Sequence, residues 1–175
     1  MKDDYIDLLD NTDRELKEIR KWINAGKNKF DSKTRYLVAY GVIKSSGSIE
    51  VVFKQIIYDY LTRGVEEKTA TYIEKMILDS SCNPNTGNMS NMLQNISSEW
   101  KKKFEEEVKN SGKKDKINSL VQLRNDFAHG DNITVSIDTV ITYYESARDI
   151  LHILDLYDVI RSKNNILPFF FCFVV

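Results

Sequence analysis

The sequence predicts an all-α fold: an up-and-down bundle of about five to six helices, with one loop near residues 80–90. Three observations carry that expectation. Apolar residues recur at three- and four-residue steps through most of the 175 residues, the period of an amphipathic helix. Only 7 Gly and 2 Pro punctuate the chain, far fewer turn-formers than a β-sandwich or barrel of this size needs. No stretch alternates apolar and polar residues cleanly enough to demand a strand.

The elements follow in order. Residues 5–25 set Ile6, Leu9, Leu16, Ile19 and Ile23 among charges, and Gly26 and Asn28 can end that helix. Asp31 or Ser32 can cap a long second helix to about Thr62, with Leu37, Val38, Val42, Ile43, Ile49, Val52, Phe53, Ile56, Ile57 and Tyr60 at mixed three- and four-residue steps. The Ser45-Ser46-Gly47-Ser48 run is a place for a kink, and its small residues would let another backbone come close. Residues 65–78 read as a shorter helix. Residues 80–90 (SSCNPNTGNMS) read as loop, with Pro84, Gly87 and several Asn. One helix is expected from about Met89 to Asn110, and Gly112 breaks it. Residues 113–127 form the next, Gly130-Asp131-Asn132 a turn, and Ser136 caps a last long helix carrying Ile137, Val140, Ile141, Tyr144, Leu151 and Leu154.

Composition bounds the function. With 42% hydrophobic and 29% charged residues, the chain reads as one soluble globular domain, expected over residues 1–165. The formal net charge of -1 gives no global field for nucleic acid, so any such contact must come from a local basic surface. Cys82 and Cys172 show neither metal-ligand spacing nor a disulfide framework, which fits a reducing cytoplasm. The acidic start (Met1-Lys2-Asp3-Asp4) is not the pattern of a signal peptide. Residues 166–175 (ILPFFFCFVV) form an uncharged tail, too short to span a bilayer. It is expected to pack on the body or on a second subunit, or to be a frame-shifted end. No membrane association is expected.

The chemistry-bearing candidates centre on Arg124-Asn125-Asp126-Phe127-Ala128-His129. An Arg a few places before a His is common by chance, so its setting matters more than its spacing. Leu120, Leu123 and Phe127 form an apolar stripe that places the motif on a helix. Asn125 and His129 project to one side of it, away from the stripe, with Arg124 on the flank. Gly130 is the natural stop, which puts His129 at the negative end of the helix dipole. A cationic His beside an Arg there suits a phosphate.

These residues resemble the nuclease-type motif of the HEPN superfamily: an Arg, a following Asn, then a His, finishing Ala128-His129-Gly130. The Ser-Gly-Ser-Ile-Glu run of residues 46–50 is similar to the second helix of bacterial RiboL-PSP-HEPN and MAE_28990/MAE_18760-type proteins. The resemblance covers roughly residues 5–160. It implies a HEPN-like bundle and metal-independent cleavage of single-stranded RNA by 2′-OH attack, without cofactor or metal. His129 would be general base or acid, Arg124 would hold the scissile phosphate, and Asn125 would orient either. It further implies a homodimer with the site at the interface, and a toxin or anti-phage abortive-infection role with an antitoxin partner. A non-catalytic HEPN module that binds RNA or serves as a dimerisation adaptor is the alternative.

Other candidates stand beside the motif. Glu50 and Asp126 are secondary site candidates, though Glu50 and Lys54 also read as an ordinary i,i+4 pair. The lysine-rich run from Lys101 to Lys116 offers Lys113, Lys114 and Lys116 as a guide for RNA backbone, or a solvated helix face. Tyr143 is a candidate stacking platform, whereas Tyr144 has core spacing. His152 is expected to be packed.

Overall fold

The computed structural model describes residues 1–164, with side chains described through Asp155; the apolar tail of residues 166–175 lies outside them. Seven α-helices are present and no strand occurs among the described residues: α1 (Asp3–Ile23), α2 (Lys33–Leu61), α3 (Glu67–Ile77), α4 (Thr86–Ile96), α5 (Ser98–Ser111), α6 (Lys114–Ala128) and α7 (Ile137–Asn164). A single 3-10 turn, Asn28–Phe30, links α1 to α2. The long helices α2 and α7 form the centre. They pack on each other, and α1 and α6 each touch both. No helix among the described residues is long and apolar enough to cross a membrane.

Leu9, Leu16, Ile19 and Ile23 of the α1 apolar face are buried as their spacing requires, with Tyr5 buried beside them, whereas Ile6 is only half-buried. The buried face meets Val42, Ile49, Val52, Phe53 and Ile57 of α2 and Val140, Tyr144, Ile150 and Leu151 of α7 in one core. Fully buried Tyr144 satisfies its hydroxyl by donating to the Leu9 carbonyl at 2.7 Å, which spares the fold an unpaired polar group.

The helix count exceeds the expected five to six because residues 89–110 are two helices, not one. Ser97 adopts an extended conformation, and its hydroxyl accepts from the Trp100 amide. A short polar side chain here caps a new helix rather than continuing the old one. The loop is also shorter than residues 80–90. Asn85 caps α4, accepting from the Asn88 amide at 2.8 Å, so helix begins at Thr86.

The serine-glycine run does not break α2, which is one continuous helix through it. Ser48 donates to the Ser45 carbonyl within the helix at 3.0 Å. The close approach occurs one turn and a half earlier, at Gly41: a Cβ there would lie 3.1 Å from Leu16 Cδ2 and 3.3 Å from Ile137 Cδ1, whereas one at Gly47 would meet nothing. Two side chains also depart from expectation on burial. His152 is exposed rather than packed, and Tyr143 is half-buried against the core rather than freely presented.

Candidate functional site

The motif occupies the last turn of α6. Ile117 and Leu120 are fully buried, Leu123 is half-buried and Phe127 emerges at the surface, so the apolar stripe anchors the helix but releases its end. His129 follows the last helical residue, its amide donating to the Asn125 and Asp126 carbonyls at 3.0 and 3.1 Å. Gly130, at φ +97°, turns the chain away; this left-handed conformation is strained for any residue with a Cβ. Asp131 then closes the turn onto the Asp126 carbonyl at 2.9 Å.

His129 is exposed, while Arg124, Asn125 and Asp126 are half-buried. Among the described residues neither Arg124 nor His129 forms an ion pair. On a regular helix Arg124 would point about 140° away from His129, and Asn125 only about 40° away. The Arg124 guanidinium donates to Asn125 Oδ1 at 3.2 Å, which draws it round the helix toward the histidine side. Asp126 points elsewhere and accepts from Gln122 at 2.5 Å.

Asn125 is itself held, and by a segment that sequence reasoning treated only as loop. The chain between α3 and α4 forms a strap from α2 to α6. Lys54, 7% exposed, reaches Glu50 Oε1 at 2.8 Å and donates to the Leu78 and Ser80 carbonyls. Glu50 Oε1 also accepts the Cys82 amide at 3.1 Å. The next residue, Asn83, donates from Nδ2 to Asn125 Oδ1 at 2.8 Å. Two turns down α6, Asn118 Oδ1 accepts from both the amide and hydroxyl of Thr86, at 3.0 and 3.1 Å. Asn118 and Asn125 lie seven residues apart, hence on one face, and together stitch the strap along it. The buried Asn83 Oδ1 has no partner among the described residues. Glu50 therefore approaches the motif through Cys82 and Asn83, as an anchor of the strap rather than beside His129. The signal that could have found Asn83 is the density of Asn facing an Asn-bearing helix, which propensity reads simply as turn.

Burial pushes the Cys82 thiol up from its ordinary range; the Glu50 charge adds to this and Lys54 opposes it. The thiol is therefore poorly suited to act as a nucleophile. No cluster of three or more His, Cys, Asp or Glu among the described residues could hold a metal ion.

The lysines do not join the motif within one chain. Lys113, Lys114 and Lys116 sit at the start of α6, about 20 Å along the helix from His129. Lys113 is also paired with Asp149 of α7. Lys114 and Lys116 are exposed.

An all-helical bundle that presents an Arg, an Asn and a His at one exposed helix end has the make-up of a HEPN-type domain. The model of the RiboL-PSP-HEPN family matches residues 10–157, and the chain belongs to that family. No curated protein and no solved structure matches it. Family membership points to work on RNA, as nuclease or binder, and to the pairing of domains frequent among HEPN proteins.

Proposed function

We propose that this protein is a metal-independent endoribonuclease that cuts single-stranded RNA as a symmetric homodimer. The observation that carries the reading is the state of the motif. His129 is exposed and Arg124 free of any ion pair among the described residues, while Asn125 is clamped by Asn83 and in turn accepts from the guanidinium. A purely structural motif would bury the histidine or lock the arginine in a salt bridge.

In the proposed reaction one His129 removes the proton of the ribose 2′-OH. The 2′-oxygen attacks phosphorus, the bond from phosphorus to the 5′-oxygen breaks, and a second imidazolium protonates the leaving oxygen. The products are a 2′,3′-cyclic phosphate and a 5′-hydroxyl. Arg124 neutralises charge on the phosphate and Asn125 fixes where its guanidinium sits. One chain supplies a single histidine to this site, so base and acid together require the second copy. Following the family resemblance, the activity would serve as a toxin or abortive-infection effector restrained by an antitoxin.

The test is cleavage of a labelled single-stranded RNA in EDTA. Wild type should cut, and His129→Ala and Arg124→Ala should not. Mixing wild type with His129→Ala under subunit exchange should reduce activity as the square of the wild-type fraction, to about one quarter in an equal mixture. A linear decrease would remove the two-histidine mechanism. Cutting by His129→Ala at the wild-type rate, or RNA binding without any cutting by wild type, would overturn the nuclease reading.

A further inference from the structure

A second feature lies at the motif end of the bundle. Where α2 begins, residues 27–36 (KNKFDSKTRY) carry four cations, Lys27, Lys29, Lys33 and Arg35, against the single acid Asp31. All four cations are exposed. Two aromatic rings are interleaved with them and lie open to solvent: Phe30 is 89% and Tyr36 58% exposed. Exposed rings beside a run of cations are the combination by which proteins hold single-stranded nucleic acid.

This segment forms one wall of a cleft of about 370 Å³ lined by Arg35, Tyr36, Ala39, Phe127, Asn132 and Ile133. The opposite wall is the emerging end of α6 and the turn after His129. Phe127 lies one helical turn beyond Arg124, a rise of about 4.5 Å and about 60° round the helix from it, so the cleft opens on the Arg124 flank of α6, across the helix from Asn125 and His129. The Arg35 guanidinium sits 4.6 Å over the Tyr36 ring and donates to its hydroxyl at 2.6 Å. It is thus pre-placed above an aromatic face with donors to spare.

We propose that this cleft is a nucleotide subsite for the RNA strand flanking the scissile phosphate. Tyr36 and Phe127 stack the unpaired base, Arg35 and Lys33 hold its phosphate, and the Asn132 amide reads the base edge. Each part answers to single-stranded RNA. Stacking between aromatic faces is how unpaired bases are held, and the local excess of positive charge supplies the backbone attraction that a net charge of -1 cannot. The volume lies at the small end for ligand pockets, which suits one nucleotide rather than a helix or duplex. The subsite rests on the RNA reading above and relocates the backbone track from the lysines at the start of α6 to those at the start of α2.

The test uses the full chain carrying His129→Ala, so that RNA survives the measurement, and a short single-stranded RNA containing 2-aminopurine. Tyr36→Ala should weaken binding about fivefold or more and reduce the quenching of the stacked fluorophore. Tyr36→Phe should retain both, Arg35→Ala should lower the salt dependence of binding by about one counterion, and Lys68→Ala on α3 should change nothing. Unchanged affinity and quenching in Tyr36→Ala would overturn the subsite alone, leaving the nuclease reading intact. Failure of the parent to bind, together with failure of wild type to cut, would overturn both.

Discussion

Replacing Glu50 by Ala separates two readings of one carboxylate. As an ordinary i,i+4 pair on a solvated helix face, Glu50 and Lys54 would contribute about 0.2–0.5 kcal/mol. The structure places the pair differently. The Lys54 side chain is 9% exposed and that of Glu50 22%, with Nζ and Oε1 2.8 Å apart. Removing one partner of a buried pair costs roughly 3–5 kcal/mol, because the remaining charge is left without a counter-ion. Lys54 keeps the Leu78 and Ser80 carbonyls, and water reaches part of the carboxylate, so the loss falls below that range. The Cys82 amide also loses its acceptor, at about 1 kcal/mol. The expected destabilisation is about 2–3 kcal/mol, or a Tm lower by about 4–12 °C for a domain of this size. Urea unfolding followed by circular dichroism, at low and high salt, measures it. A loss under about 0.5 kcal/mol that high salt erases would identify a surface pair, and the account of the strap would be refuted.

Three further outcomes are expected. Asn83→Ala should lower kcat for RNA cleavage about tenfold with KM nearly unchanged, since Asn83 acts through Asn125 and not on substrate; an effect confined to KM would contradict that. Burial pushes the Tyr144 hydroxyl up to about 12, above its ordinary value, so the fold favours the protonated form. Its contribution is complete below pH 10 and declines as pH rises toward 12. Tyr144→Phe should therefore cost about 1 kcal/mol at neutral pH and flatten the alkaline loss relative to wild type in thermal melts between pH 8 and 11. Gly47→Ala, which meets nothing, should raise stability by about 0.5–1 kcal/mol. Gly41→Ala gains the same helix propensity but drives a methyl against Leu16 and Ile137, for a net loss of about 1 kcal/mol in urea midpoint analysis.

Helix identity was legible wherever a periodic apolar face met a core. The faces of α1, α2, α6 and α7 carry enough Leu, Ile and Val at the right step that burial leaves little choice. What stayed hidden depends on partners distant in sequence. Ser97 ends α4 and starts α5 because its backbone turns extended, yet Ser in a helical pattern reads as a tolerated interior residue. His152 sits within Ile150-Leu151-His152-Ile153-Leu154 and its neighbours Leu151 and Leu154 are buried, but it faces solvent, because one residue step turns a side chain by about 100°. At the candidate motif, the placement of Arg124, Asn125 and His129 at the end of a helix was legible from the apolar stripe and the Gly130 stop. Asn83 was not: its partner is forty-two residues away, and no local rule couples an Asn in a loop to an Asn on a helix.

The strap changes how Asn125 is understood. A helix alone would splay Arg124 and His129 by about 140°, too far apart to serve one phosphate from a single side. Asn125 lies between them in projection, and its oxygen accepts from Arg124 and from Asn83 at once. An amide free to rotate could hold the guanidinium anywhere; one pinned by Asn83 holds it in one place. The pin is held in turn because Glu50 and Lys54 of α2 fix Cys82 and the carbonyls before it. A half-buried Asn125 with two partners is the element that turns a sequence pattern into a pre-arranged one, and pre-arrangement is what electrostatic stabilisation of a transition state demands. By the same reasoning Asn125→Asp is a poor substitute. A carboxylate would still accept both bonds, but it would neutralise the charge that the proposed phosphate needs from Arg124.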